Sequence, residues 1–245
     1  MVDFKNTYDP EIGFSYNDMH SFSNKNIRKG FIRKVYTLLS LQLLFTSGLT
    51  SLFVFNDKVK SFSMTDTGQG LLILSIFIVF ATFIGPLCCC PNALRKYPNN
   101  YLILIIFTLG MSYMVANIST KYSPTTLLYG FVITSVITIG LTLYAVNTRT
   151  DFTTSGGILV SILLGLIVMG ILNIFFNNNF INTLISTIGA ILFSIYIVYD
   201  TQLIVGGEHR KYQFEVDDYV FATISLYLDI INLFLYILDL LNRRN

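Results

Sequence analysis

Two aspartates stand inside otherwise apolar stretches near the C-terminal end of the chain. Asp200 closes the run Tyr196-Ile-Val-Tyr-Asp200, and Asp229 sits within Ser225-Leu-Tyr-Leu-Asp229-Ile-Ile-Asn-Leu-Phe234. Each run is part of an apolar segment long enough to enter a bilayer. A charged side chain at the centre of a bilayer helix costs about 2.5–3.5 kcal/mol on insertion scales and more by simulation, so an ionisable residue kept there is a functional candidate. On consecutive spans the two can face one another inside a bundle. Carboxylates within hydrogen-bond distance in a low dielectric do not comfortably both ionise; they share a proton. Such a pair can close as a neutral dimer at acid pH. At neutral pH it can bind a divalent cation or part by repulsion, which makes a pH switch on an ion path.

Asp200 and Asp229 are therefore the expected gating pair and the expected contacts for a divalent cation. Tyr196, one turn before Asp200, is expected to give polar support, as are Ser225, one turn before Asp229, and Asn232, three residues after it. The alternative for each aspartate alone is capping or snorkelling. It suits Asp200 better, which lies close to the end of its span.

The elements that must position this pair are membrane helices, each needing about 20 apolar residues. Uncharged stretches at 35–56, 67–94, 97–120 and 122–148 supply four, with Pro98 and Pro124 placed in first helical turns and a stop expected at Pro86 to Pro91. Residues 152–199 carry no charge and are too long for one span; Asn177-Asn-Asn179 predicts the turn of a helical hairpin with arms near 157–176 and 181–205. Gly206-Gly207 reads as the cap of the second arm, and a last span covers about 218–241. The expectation is an all-α membrane domain of seven spans over 31–242, preceded by a disordered cytosolic tail, 1–30. No early apolar run marks a cleaved leader, so the first span is expected to act as the targeting signal.

Composition supports this class: only 12% of residues are charged, against about 25% in soluble domains. A net charge of +2 leaves no strongly basic surface for nucleic acid. Lysine and arginine flanks place the N-terminus in the cytosol, with Arg95-Lys96, Arg149 and Arg210-Lys211 on the same side. The basic end Arg243-Arg244 argues the other way for the last segment, which either crosses or re-enters.

Other polar features carry less chemistry. Cys88-Cys-Cys90 lacks the paired spacing of a zinc site and reads either as an acylation site at a membrane edge or as small filler. Asp239 is placed to pair with Arg243 one turn later. Glu215, Asp217 and Asp218 form an acidic first turn of the last helix, without the spaced loop of an EF-hand. His209 reads as a solvated loop residue. Asn117-Ile-Ser119 is a glycosylation sequon at a membrane end and is expected to stay unused.

Ile197-Val-Tyr-Asp200, Gly206-Gly with His209-Arg-Lys-Tyr212, Asp217-Asp-Tyr-Val-Phe-Ala222 and Ser225-Leu-Tyr-Leu-Asp-Ile-Ile-Asn-Leu-Phe-Leu235 closely resemble the C-terminal signature of the transmembrane Bax inhibitor motif family, in its lifeguard branch. The layout of the earlier spans, including Arg33-Lys-Val-Tyr36 and Pro98-Asn-Asn100, extends the likeness to about residues 27–242. The resemblance implies six helices around a central, largely apolar seventh. It implies a pH-sensitive calcium leak in the endoplasmic reticulum or Golgi and suppression of cell death. It places the family's di-aspartyl sensor on Asp200 and Asp229. Calcium is then a permeant or bound ion rather than a cofactor, and the partners are the lipid bilayer and membrane or death-pathway proteins. Arg95 stands near an arginine that in bacterial relatives latches the closed state, although the local alignment is shifted there. An acid found in the second span of some relatives is absent.

Two other classes compete. An intramembrane aspartyl protease also uses two membrane aspartates, but it needs a Gly-x-Gly-Asp element where this chain has Tyr-Leu-Asp229-Ile. A non-conducting membrane adaptor would use the aspartates as polar glue between helices.

Overall fold

The computed structural model describes residues 8–9, 14–89, 91–176, 178–207 and 209–244. Eight α-helices account for nearly all of it: α1 (Tyr16–Phe55), α2 (Asp57–Met64), α3 (Asp66–Cys89), α4 (Asn99–Ser119), α5 (Pro124–Asn147), α6 (Gly156–Phe176), α7 (Asn179–Val205) and α8 (Tyr219–Arg244). Before them, Tyr8–Asp9 pairs antiparallel with Phe14–Ser15. Seven of the helices, all but α2, are long and apolar enough to cross a membrane.

The last helix is the axis of the bundle. It packs against α1, α4, α5 and α7, and Phe83 of α3 reaches it by stacking beside Phe221 with ring centroids 6.4 Å apart. Surrounded by these helices, it is the most buried of the spans. Tyr227, Ile224, Leu226, Leu233 and Leu238 are accordingly almost fully enclosed. α6, the most hydropathic span, packs chiefly on α7 and otherwise presents Ile, Leu and Val outward, as a lipid-facing helix does. Val216–Arg243 is one continuous helical span long and apolar enough to cross. Asp239 accordingly lies beside Ser186 in the first third of α7, at the opposite end of the bundle from Arg95 and Arg210.

Local chemistry explains the helix ends. Ser123 accepts from the Thr126 amide at 3.1 Å ahead of Pro124, opening α5. Asn178 accepts from the Phe180 amide at 2.8 Å and opens α7. Gly206, at φ +63°, closes α7 while its amide still bonds to Gln202 O at 2.8 Å. A side chain there would collide with Gln213 and Arg28.

Three features differ from the sequence reading. Helix α1 starts at Tyr16, inside the segment expected as a disordered tail; residues 1–7 and 10–13 of that tail lie outside the described residues. The polar run 57–64 is a helix, α2, because Asn56 caps it by accepting from the amides of Lys58 and Val59. Ser63 O is then gripped by Gln69 Nε2 at 2.8 Å and Asn117 Nδ2 at 3.4 Å. This also buries Asn117. The third difference is local: α3 ends at Cys89, within the expected stop, but Pro86 itself lies inside the helix. Proline removes one helical hydrogen bond and crowds the preceding turn, which is tolerated so near a helix end. Cys88 is exposed there; Cys90 lies outside the described residues.

Helices α7 and α8 approach closely at Gly189, where a Cβ would meet the ring of Tyr236 at 2.6 Å. Gly189→Ala is expected to destabilise by about 1–3 kcal/mol through overpacking. Gly165→Ala, facing open space on α6, should leave stability unchanged or raise it slightly. Thermal unfolding of the two variants in detergent checks the contrast.

Candidate functional site

Near its C-terminal end α7 is enclosed on nearly every side. Ile197, Val198, Thr201, Gln202, Leu203 and Ile204 are all buried, because α5, α8 and the 3-10 turn Phe152–Ser155 surround them. Asp200 projects from this segment and is 6% exposed; Asp229 of α8 is also 6% exposed. The structure brings the two carboxyl groups within hydrogen-bonding reach of one another. Asp229 Oδ2 has no donor among the described residues. A proton carried on Asp200 is the donor that the geometry offers it. From the helix rise of 1.5 Å per residue, Asp229 lies ~15 Å along α8 from Tyr219 and Asp200 ~8 Å from the end of α7. Both side chains are buried within the bundle.

The expected polar support separates into parts. Tyr196 lies within electrostatic range of both carboxyl groups, and its hydroxyl is buried without a hydrogen-bond partner among the described residues. Asn232 is different: its amide donates to Leu228 O at 2.8 Å, on its own helix. A side-chain amide that can reach a carbonyl one turn back competes with any bond across the helix stripe. Ser225 makes no bond to either carboxylate among the described residues. Beyond Tyr196, the titratable group that reaches Asp200 is Tyr199.

Arg95 sits away from the pair. Its guanidinium makes a bidentate pair with Asp218, at 2.7 and 3.1 Å, and reaches Glu215 at 3.1 Å. It ties the segment before α4 to the head of α8. Being exposed, this pair contributes roughly 0–1 kcal/mol. Lys34 caps the same corner, its Nζ 3.2 Å from the centre of the Tyr219 ring. His209 is exposed, as expected of a solvated loop residue. Asp239 pairs with Arg243 at 2.8 Å and also accepts from Ser186 of α7 at 2.5 Å. Among the described residues no group of three or more His, Cys, Asp or Glu converges. The aspartate pair alone thus supplies only part of the six to eight oxygens that calcium takes. That composition suits a contact made in passing better than a cage.

Sequence reasoning missed the residues that hold α7 in place. Arg28 donates to Leu203 O and Phe214 O at 2.5 Å and to Val205 O at 3.2 Å. A cation here completes the orphan carbonyls of a helix C-terminus and opposes its dipole. Gln202 accepts from the Phe152 amide at 2.8 Å and donates to Thr150 O at 3.0 Å. Arg210 does for α5 what Arg28 does for α7, bonding Thr150 O, Thr148 O and Ala145 O. A glutamine inside an apolar run was the one local signal available; the arginines find their partners far away in the chain.

Asp151 completes this brace, accepting from the Thr153 hydroxyl at 2.7 Å and the Lys211 amide at 2.9 Å. Burial alone would raise its carboxyl; the hydrogen bonds from Thr153 and Lys211, with the nearby Arg210 charge, outweigh that and hold it below its ordinary 3.8. A depressed carboxyl stabilises the fold above its unfolded pKa and loses that contribution as pH falls through the folded value. Protection of the Lys211 and Tyr212 amides from hydrogen exchange should therefore drop as pH falls below about 4, and Asp151→Asn should remove that pH dependence. Arg28→Ala should raise exchange across 203–214 at neutral pH, since each lost bond from a charged donor contributes about 1.5–3 kcal/mol before solvent screening.

Comparison with known proteins gives the pair its context. The family model described as "Inhibitor of apoptosis-promoting Bax1" matches residues 28–245. Protein lifeguard 3 of Homo sapiens is 32% identical over 228 residues, covering 91% of this chain and 72% of that protein. The Golgi anti-apoptotic protein of Vaccinia virus (strain Lister) is 34% identical over 235 residues, covering 96% and 94%. With the matched region containing all seven spans and both aspartates, the chain belongs to the Bax inhibitor family, among its lifeguard-like members.

Proposed function

We propose that this protein is a multi-pass endomembrane protein that passes calcium in a pH-dependent manner and thereby restrains cell death. The observation that carries the reading is the buried contact between Asp200 of α7 and Asp229 of the central α8. Two carboxyl groups held together in a dry interior are stable as neighbours only while a proton lies between them. Loss of that proton sets two like charges against each other, and α7 and α8 part. The gap so formed is lined by carboxylates and admits a divalent cation that keeps most of its water. Acidification restores the shared proton and shuts the path. Arg95, holding Asp218 and Glu215, fixes the head of α8 during this motion.

The relatives support the cellular side of the reading. One is named as a Golgi anti-apoptotic protein, and the family description names an inhibitor of an apoptosis-promoting protein. The Golgi or endoplasmic reticulum is therefore the proposed compartment. Arg28, Lys34, Arg95, Arg149 and Arg210 gather at one end of the bundle, which supports a cytosolic side for that end and the N-terminus. The reading assigns no catalytic residue: the aspartates hold a proton and meet an ion.

Calcium flux into liposomes reconstituted with the purified chain tests this. Flux should rise at least about fivefold from acid to neutral pH, the scale of a ~1 kcal/mol gating free energy. Asp229→Asn, whose amide can donate permanently to Asp200, should flatten that dependence, and Asp200→Asn should do the same. Absence of flux at every pH would sink the channel reading in favour of a non-conducting adaptor. Cleavage of a membrane substrate, lost in either variant, would turn it to a protease.

A further inference from the structure

A cavity of about 470 Å³ lies at membrane depth between α1, α5 and α8. Both α1 and α5 pack on α8 but stand apart from each other beside it. Its wall on α8 is Ile230, Ile231 and Phe234, a stripe ~150° around the helix from Asp229 at 100° per residue. The cavity is thus separate from the carboxylate pair. No charged group lines it, so neither a metal ion nor a charged solute is its natural occupant.

Its inner wall carries several hydroxyls. Many threonine and serine hydroxyls of the spans bond back to a carbonyl of their own helix, as Thr46 at the cavity does to Gln42, Thr108 to Leu104 and Thr223 to Tyr219. Thr50 and Thr134, 0% and 4% exposed, do not; nor does Thr138, and the hydroxyl oxygens of all three are buried without a partner among the described residues. All three line the cavity. Buried hydroxyls left unpaired cost roughly 1–3 kcal/mol each, and a ligand carrying a hydroxyl would satisfy them. The mouth is formed by Leu44, Ser135 and Ile139, which are exposed on the outer faces of α1 and α5. At that depth the outside is acyl chain, so the occupant enters from the bilayer. A shallower recess of about 500 Å³ adjoins through Ser40 and Leu44 and runs to Tyr36, towards the basic end. The whole cleft is elongated.

We infer that this cleft binds a neutral lipid alcohol drawn from the bilayer: an extended apolar body whose hydroxyl bonds to Thr50 and Thr134. Size, an apolar lining and a few convergent polar groups are what small-molecule sites share, and the hydroxyls set the class.

The test uses the full chain in phosphatidylcholine nanodiscs with a photoactivatable, alkyne-tagged sterol and its analogue lacking the hydroxyl. Labelling should concentrate on peptides containing residues 40–50 and 131–139 and exceed that by the analogue about tenfold or more, since a site built to bond a hydroxyl rejects the molecule without it. Thr50→Val with Thr134→Val should bring the two probes level. Ser135→Phe at the exposed mouth, which leaves the packed interior untouched, should cut labelling by the sterol about tenfold, whereas Leu172→Phe on the outer face of α6 should not change it. Labelling spread evenly around the bundle, indifferent to Ser135→Phe, or equal for the two probes in the unaltered chain, would overturn the proposal and leave only the ordinary lipid annulus.

Discussion

The proposed function depends on one buried pairing: the carboxyl groups of Asp200 and Asp229 facing each other between α7 and α8. In a bilayer the hydrophobic effect does little to press helices together, since lipid is as apolar as leucine, and association rests on close packing and interhelical polar contacts. Here both act along one seam. Gly189 lets Tyr236 approach, Phe193 stacks on Tyr236 at 5.8 Å, and Ser186 meets Asp239 nearer the end opposite the basic loops. On the proposed reading, the carboxylate contact is the joint along the seam that turns repulsive when a proton leaves.

A joint of this kind needs a rigid surround, or its repulsion would dissipate in loose helices. The other side of α8 provides one. Thr46 of α1, Ser112 of α4 and Tyr227 of α8 share hydrogen bonds of 2.8 Å, and Gln42 reaches Thr108 at 2.7 Å. This ladder fastens α8 to α1 and α4. At the basic end, Arg28, Gln202 and Arg210 hold the last turns of α7 and α5 to the loops. The two sides of the central helix therefore differ in kind: neutral hydroxyls and amides on one, ionisable acids on the other.

Much of this was legible in the sequence. Spans are legible because a membrane helix must satisfy its own backbone and cover it with apolar side chains, which leaves a long local record. The two aspartates stood out because nothing else in their runs carries charge. Gly206 and the Asp239–Arg243 pair followed from rules acting within one turn. What was not legible acts over distance or within the polar stretches. The expectation for Asn232 failed because its own helix offered a nearer carbonyl. Helix α2 hid in a polar stretch whose stabilising partners, Gln69 and Asn117, lie on other elements. The role of Arg28 could not be seen because its acceptors stand 175 to 186 residues further on.

That last separation bears on how the protein is made. Spans enter the membrane in the order of synthesis, so Arg28 is in place while α7 has yet to be translated. Its guanidinium must wait, hydrated at the surface, through the insertion of five further helices before Leu203, Val205 and Phe214 arrive. Closure of this ring from first span to last loop is among the final acts of assembly. The helix that bears Asp200 is thus secured only after the loop that follows it has been made.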